Sequence, residues 1–154
     1  YESDPFARLD TTGVGKLMKM AVALIYVSPG IPCIYYGDEA GLEGGIDPGC
    51  RAGYPWGREN TDILEFYCRM NRMYSQNQVL SRGDLSIIDY KGLLVIRRSL
   101  GDAIVTAVFN NTDHDGVYDG YIGKVIDLYT GEPVEGDVVL GPLDFVLLLN
   151  LTDR

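Results

Sequence analysis

Two adjacent acidic residues, Asp38 and Glu39, are the first side chains that suggest acid–base chemistry. Paired carboxyl groups can act as nucleophile and acid on one bond when they lie about 5–5.5 Å apart. Adjacent residues of a strand point to opposite faces, so these two would need a sharp bend to flank one bond. The spacing therefore predicts that they anchor structure, and we assign no catalytic residue.

A second set of side chains suggests binding. Asp47 and Arg51 lie four residues apart in a stretch that also carries Tyr54 and Trp56. Carboxylates and guanidinium groups hold sugars through paired hydrogen bonds, and aromatic faces pack against sugar rings. An internal salt bridge of the loop would use the same two charges. Both alternatives stay open, and Asp47 and Arg51 are the predicted substrate-binding residues.

Other ligand classes find little support. The formal charge of −9, from 22 acidic and 13 basic residues, repels polyanions, so no nucleic-acid partner is expected. The stretch from Asn111 to Gly116 resembles the opening of a calcium loop, but Ile122 stands where the loop needs a bidentate glutamate. No metal site and no cofactor is predicted.

The cysteines and the apolar runs bear on the compartment. Cys33, Cys50 and Cys68 are odd in number and lack metal-ligand spacing, so they are interpreted as reduced thiols, which favours the cytoplasm. Residues 17–27 form the longest apolar-rich stretch, which Lys19 interrupts and which is too short to span a bilayer. No membrane partner is expected.

The elements that would position these side chains differ between the two halves of the chain. Helical periodicity predicts a helix over residues 14–28, and a short β-branched and aromatic run predicts a strand over 31–36, buried on both faces with Cys33 in the core. Residues 37–60 have no periodicity and predict a long loop. A second helix is expected over 62–76, with a capping box at its start.

After residue 83 the pattern changes to short extended runs separated by turns, which predicts an antiparallel β-sandwich. The expected strands cover residues 85–90, 93–99, 103–109, 124–129, 138–140 and 145–151. An alternative function is a non-catalytic carbohydrate-binding or purely structural sandwich module. Its aromatic surface would consist of Tyr90, Tyr118, Tyr121 and Tyr129, although scattered strand aromatics are more typical of core packing.

Two motifs carry a resemblance to a known family. Residues 30–41, GIPCIYYGDEAG, closely resemble the segment around the eighth barrel strand of the α-amylase family of glycoside hydrolases. Residues 47–51, DPGCR, and 54–56, YPW, resemble the loop after that strand in the neopullulanase, cyclomaltodextrinase and maltogenic amylase branch. The resemblance implies the last strand and two helices of a (β/α)8 TIM barrel over residues 1–82, followed by an antiparallel β-sandwich C-terminal domain over 83–154.

The resemblance also implies a function. Family members cleave α-glucosidic bonds with retention, and the motifs of their catalytic carboxylates would precede Tyr1, so we expect this chain to be inactive alone and to have been cut from something longer. The parent would act on maltooligosaccharides, cyclodextrins or pullulan, and an α-glucan is the expected partner. Asp47 and Arg51 match branch residues that contact glucose units on the non-reducing side. Residues 31–36, without barrel neighbours, are expected to promote self-association.

Overall fold

A computed structural model describes residues 11–45 and 47–150. The outer ends of the two predicted domains, and residue 151 of the predicted last strand, lie outside the described residues.

Among the described residues of the first half, three α-helices are formed: α1, Thr11–Val27; α2, Thr61–Gln76; and α3, Gln78–Arg82. The first two confirm the predicted helices within a few residues, whereas α3 was not predicted. The N-cap of α2 is Asn60, whose Oδ1 accepts a hydrogen bond from the Ile63 amide at 3.3 Å. The predicted capping box is therefore wrong, and Asp62 instead pairs with Lys19 at 2.7 Å. Among the described helices, none is long and apolar enough to cross a membrane.

The second half is antiparallel β-structure, as predicted. A six-stranded sheet has the order β1-β2-β3-β8-β5-β6, and β4 pairs with β7 in a two-stranded sheet. Sequence reasoning missed the short strands β4 and β6. The strands are β1, Asp84–Tyr90; β2, Leu93–Leu100; β3, Ala103–Asn110; β4, Gly116–Tyr118; β5, Val125–Asp127; β6, Pro133–Val134; β7, Val138–Leu140; and β8, Asp144–Asn150.

The helices and the larger sheet share one hydrophobic core. Tyr26 of α1, Phe66 of α2 and Leu80 of α3 pack in the same cluster as Val105 and Leu147 of the sheet, and each is at most 2% exposed. A second cluster fills the space on the other side of β2, β3 and β8, beneath the two-stranded sheet. The larger sheet is therefore covered on both faces, which fixes α1 and α2 against it.

A buried arginine reinforces this junction. Arg98 of β2 is 2% exposed, and its Nη1 donates to the Val27 carbonyl at 2.9 Å. Its Nη2 and Nε donate to the Gly83 carbonyl at 2.8 and 3.2 Å. The cation lies at the C-terminal end of α1, where the helix dipole favours positive charge. Arg98 thus joins α1, β2 and the connection after α3.

The expected strand over residues 31–36 is not formed among the described residues. Ile31 is 91% exposed, Tyr35 is 60% exposed, and Cys33 is exposed rather than buried. Strand hydrogen bonds need a neighbouring strand, and the described chain places none beside this segment. Its start is held by Tyr74, whose hydroxyl donates to the Gly30 carbonyl at 3.1 Å.

Candidate functional site

The loop over residues 37–60 is closed at its base. The Asn60 amide donates to the Ala40 carbonyl at 2.9 Å, which brings the end of the loop back to its beginning beside α2. Gly37 has a φ of 91°, and a Cβ there would lie 2.4 Å from Cδ1 of Leu42. Only glycine fits this turn, since both the left-handed backbone and the close side chain exclude larger residues.

The two acidic residues of the motif have different surroundings. Glu39 Oε2 accepts a hydrogen bond from the Gly37 amide at 2.8 Å, so its carboxylate holds the turn. Asp38 begins a short 3-10 turn, Asp38–Ala40. Partial burial, and secondly the negative charge of Glu39, raise the pKa of the Asp38 carboxyl. In this geometry the Glu39 carboxylate anchors the turn.

Asp47 and Arg51 form a two-bond ion pair at the surface of the loop, which is the internal salt bridge that the sequence left open as the alternative to sugar binding. Arg51 Nε lies 3.1 Å from Asp47 Oδ1, and Nη2 donates to Oδ2 at 3.3 Å. The 3-10 turn Gly49–Arg51 between them brings the side chains together. The two side chains remain 73% and 64% exposed, for Arg51 and Asp47 respectively. An exposed pair of this kind contributes only about 0–1 kcal/mol to stability.

Aromatic rings line the same loop. The ring centroids of Tyr54 and Trp56 lie 4.5 Å apart, and Trp56 is 81% exposed. Tyr36 packs against Tyr35 at 5.0 Å and donates its hydroxyl to the Ala52 carbonyl at 3.0 Å. The loop thus carries an exposed aromatic ring, Trp56, on the same short segment of sequence as the Asp47–Arg51 pair.

The four sandwich tyrosines do not form one exposed surface. Tyr118 is 1% exposed and packs edge-on against Tyr90 at 5.0 Å. Tyr121 packs against the same cluster, and its hydroxyl donates to the Gly136 carbonyl. Tyr129 instead belongs to the other core. These rings serve packing, so the aromatic surface expected of a binding module is not assembled from them.

The stretch that resembled a calcium loop is organised by an amide instead. Asn110 is fully buried, and its Nδ2 donates to the carbonyls of His114, Leu140 and Gly141 at 2.8–2.9 Å. His114 Nδ1 lies 3.0 Å from Asp113 Oδ1. Across residues 11–45 and 47–150, no three His, Cys, Asp or Glu side chains are arranged to hold a metal ion.

Sequence reasoning missed one cluster of polar and aromatic side chains, where α1 and α2 meet the sheet. Lys19 lies with its Nζ 5.6 Å from the Phe66 ring centroid and beside Asp127 and Asp144 in the wall of one pocket. These residues are far apart in the chain and follow no motif. No local signal could have identified the cluster, because only the packing of the helices on the sheet brings it together.

Comparison with known proteins supports the family that the two motifs resemble. No protein-family profile matches the chain. The chain is 33% identical to an amylopullulanase of Thermoanaerobacter thermohydrosulfuricus in an alignment 165 positions long, which covers 90% of this chain and 11% of the relative. It is 31% identical to a cyclomaltodextrinase of Geobacillus thermopakistaniensis (strain MAS1) in an alignment 156 positions long, which covers 91% of this chain and 26% of the relative.

A solved structure supports the fold. The maltogenic amylase from S. marinus superposes with a TM-score of 0.77 at 29% identity, over 87% of this chain and 19% of that one. The chain thus spans between 11% and 26% of the length of these relatives. The two helices, the GIPCIYYGDEAG segment and the antiparallel sandwich therefore correspond to the end of the barrel and the sandwich domain of such enzymes. The chain belongs to the α-amylase family of glycoside hydrolases, in the branch with neopullulanases, cyclomaltodextrinases and maltogenic amylases.

Proposed function

We propose that this chain is part of a retaining glycoside hydrolase that cleaves α-1,4-glucosidic bonds of maltooligosaccharides, cyclodextrins or pullulan. Its relatives are named for pullulan, cyclomaltodextrins and maltose, which supports an α-glucan substrate. In this proposal the chain supplies scaffold and sugar contacts, while carboxylates from another part of a longer protein perform the chemistry. Residues 1–82 complete a barrel, and residues 83–154 form the sandwich domain.

The observation that carries the proposal is the exposed ion pair of Asp47 and Arg51 on the loop that bears Trp56. A guanidinium group can donate to sugar hydroxyls and a carboxylate can accept from them, so the pair can bind two neighbouring hydroxyls. The aromatic face of Trp56, 81% exposed, can pack against the apolar face of a glucose ring. Glu39 and Asn60 hold the base of the loop, which limits the entropy lost on binding.

Titration calorimetry with maltoheptaose tests the binding role. We expect Asp47→Ala and Arg51→Ala each to weaken binding about tenfold, through loss of a charge-assisted hydrogen bond. The double variant should be scarcely weaker than either single one, since each partner positions the other. Arg58→Ala, an exposed arginine of the same loop, is the matched control and should bind like the unmodified chain. Equal affinity of all four variants would contradict the proposed contacts.

A hydrolysis assay tests the proposal that this chain supplies scaffold and sugar contacts but no catalytic carboxylates. The purified chain should release no sugar from maltoheptaose, because Asp38 and Glu39 are the carboxylates of the motif and Glu39 is engaged by the Gly37 amide. Measurable hydrolysis of maltoheptaose by the pure chain would contradict the proposal, because it would require catalytic carboxylates within this chain.

Residues 31–36 support a further part of the proposal, self-association of the isolated chain. Ile31 and Tyr35 are exposed on an extended segment that has no strand partner among the described residues. Sedimentation velocity should show a dimer or larger species that Ile31→Lys converts to monomer. A monodisperse monomer at high concentration would contradict it.

A further inference from the structure

The outer part of the loop, residues 47–58, carries the Asp47–Arg51 pair and packs against little else. Most of these residues are exposed to solvent. A Cβ added at any of three glycines would have no heavy atom within 4 Å beyond its chain neighbours: Gly49, Gly53 and Gly57. Side-chain packing therefore does little to fix this segment, and its conformation depends on its hydrogen bonds.

One hydrogen bond within the described part of the chain joins residues 47–58 to the rest of the molecule. The Tyr36 hydroxyl donates to the Ala52 carbonyl at 3.0 Å, whereas the other hydrogen bonds of the segment stay inside it. Ala52 directly follows Arg51, so this bond fixes the backbone next to the guanidinium-bearing residue. We propose that Tyr36 is a positioning residue that holds Arg51 ready for an α-glucan, an inference that rests on the sugar-binding role proposed above for Asp47 and Arg51.

Tyr36 is itself attached to the folded part of the molecule. Ile34, two residues earlier, packs against the core that the helices share with the larger sheet. Gly37, the next residue, donates its amide to the Glu39 carboxylate at 2.8 Å and accepts from the Leu42 amide at 2.9 Å. The Tyr36 hydroxyl therefore connects the outer part of the loop to a backbone that is held on both sides.

This hydrogen bond favours binding by ordering the loop in advance, without a sugar contact of its own. A ligand that binds an unrestrained loop must first order it, and a loop already held in its binding conformation avoids that cost. Loss of one hydrogen bond between neutral groups changes an equilibrium constant about twofold to tenfold. We therefore expect Tyr36→Phe to weaken the binding of maltoheptaose about fivefold, while the ring that packs 5.0 Å from Tyr35 is retained.

Amide NMR of the labelled chain tests whether Tyr36 orders the loop before any sugar is added. The Gly53 amide shares its peptide group with the Ala52 carbonyl, so its chemical shift and order parameter report on the bond from Tyr36. In Tyr36→Phe the shift should move, and the order parameter should fall from about 0.85 to below about 0.6. Tyr35→Phe is the matched control and should change neither, because the Tyr35 hydroxyl makes no hydrogen bond to the described residues.

Titration calorimetry with maltoheptaose separates positioning from a direct sugar contact. Tyr36→Phe should bind about fivefold more weakly, and Tyr35→Phe should bind like the unmodified chain. The double variant Tyr36→Phe, Arg51→Ala should bind no more weakly than Arg51→Ala alone, because Tyr36 acts through Arg51. Additive losses, or a loss of affinity with an unchanged Gly53 order parameter, would show that the hydroxyl contacts the sugar itself and would overturn the positioning role.

The remaining outcomes distinguish this proposal from the proposed function. If Arg51→Ala weakens binding and Tyr36→Phe does not, the positioning role is wrong and the sugar-binding role of the loop stands. If the unmodified chain does not bind maltoheptaose, both are wrong. The urea midpoint of Tyr36→Phe should stay within about 0.3 M of the unmodified chain, and a larger fall would assign Tyr36 to general stability and overturn the proposal.

Discussion

The buried arginine at the junction makes the sharpest stability prediction. Arg98→Met keeps much of the side-chain length but leaves the Val27 and Gly83 carbonyls without their donors. Each buried carbonyl left without a donor costs about 1–3 kcal/mol. Part of this loss is offset because the variant no longer has to bury a charged group. We therefore expect a net loss of about 3 kcal/mol in the free energy of unfolding.

Urea unfolding followed by circular dichroism measures this loss. With a slope of about 2 kcal/mol per molar, the midpoint of Arg98→Met should fall by roughly 1.5 M. Arg97→Met is the matched control: Arg97 occupies the preceding position of β2, on the opposite face, and its buried Nε has no hydrogen-bond partner among the described residues. That variant should stay within about 0.5 kcal/mol of the unmodified chain. Equal midpoints for Arg98→Met and the unmodified chain would refute the reasoning.

Three further predictions concern the same scaffold. Asn110→Ala should cost about 3 kcal/mol in chemical unfolding, because three backbone carbonyls lose the amide that satisfies them, and a loss below about 1 kcal/mol would contradict this. Gly83→Ala should lower the melting temperature measured by calorimetry, since a Cβ there would lie 2.4 Å from the Val79 carbonyl oxygen and 2.9 Å from that of Ser99; an unchanged melting temperature would show that the backbone shifts freely. Burial of the phenol, and secondly the negative charge of Asp38, raise the pKa of Tyr67 to about 12. In the unfolded chain this phenol ionises near pH 10, so the free energy of unfolding should fall by up to about 3 kcal/mol between pH 10 and 12. Tyr67→Phe should remove that part of the loss.

The periodicity of hydrophobic residues predicted most helices and strands, because the spacing of apolar residues within an element determines which of its faces is buried. Residues of α1 and α2 that recur at helical spacing do pack in one core, and the alternating runs of β1, β2, β3 and β8 form one sheet. The short strands β4 and β6 were not predicted, because an alternating pattern cannot be recognised in two or three residues and such segments look like turns.

The prediction over residues 31–36 failed for a different reason. An apolar, β-branched run indicates a segment that can be buried, but its strand bonds depend on partners that the run does not specify. Ile31 is exposed here for want of such partners among the described residues. The contact between Asp47 and Arg51 could be predicted because their short spacing is local, whereas the pocket that joins Lys19 to Asp144 could be found only from the fold.

The fluorescence of Trp56 tests the proposed sugar-binding role of the loop most directly. It is the single tryptophan of the chain, 81% exposed and with its ring centroid 4.5 Å from that of Tyr54, so tryptophan emission, excited beyond the absorption band of tyrosine, reports on this loop. Titration with maltoheptaose should shift the emission to shorter wavelength and saturate, and Asp47→Ala should move the midpoint about tenfold higher. An emission spectrum that does not change with maltoheptaose, or the same titration curve after Asp47→Ala, would contradict the account.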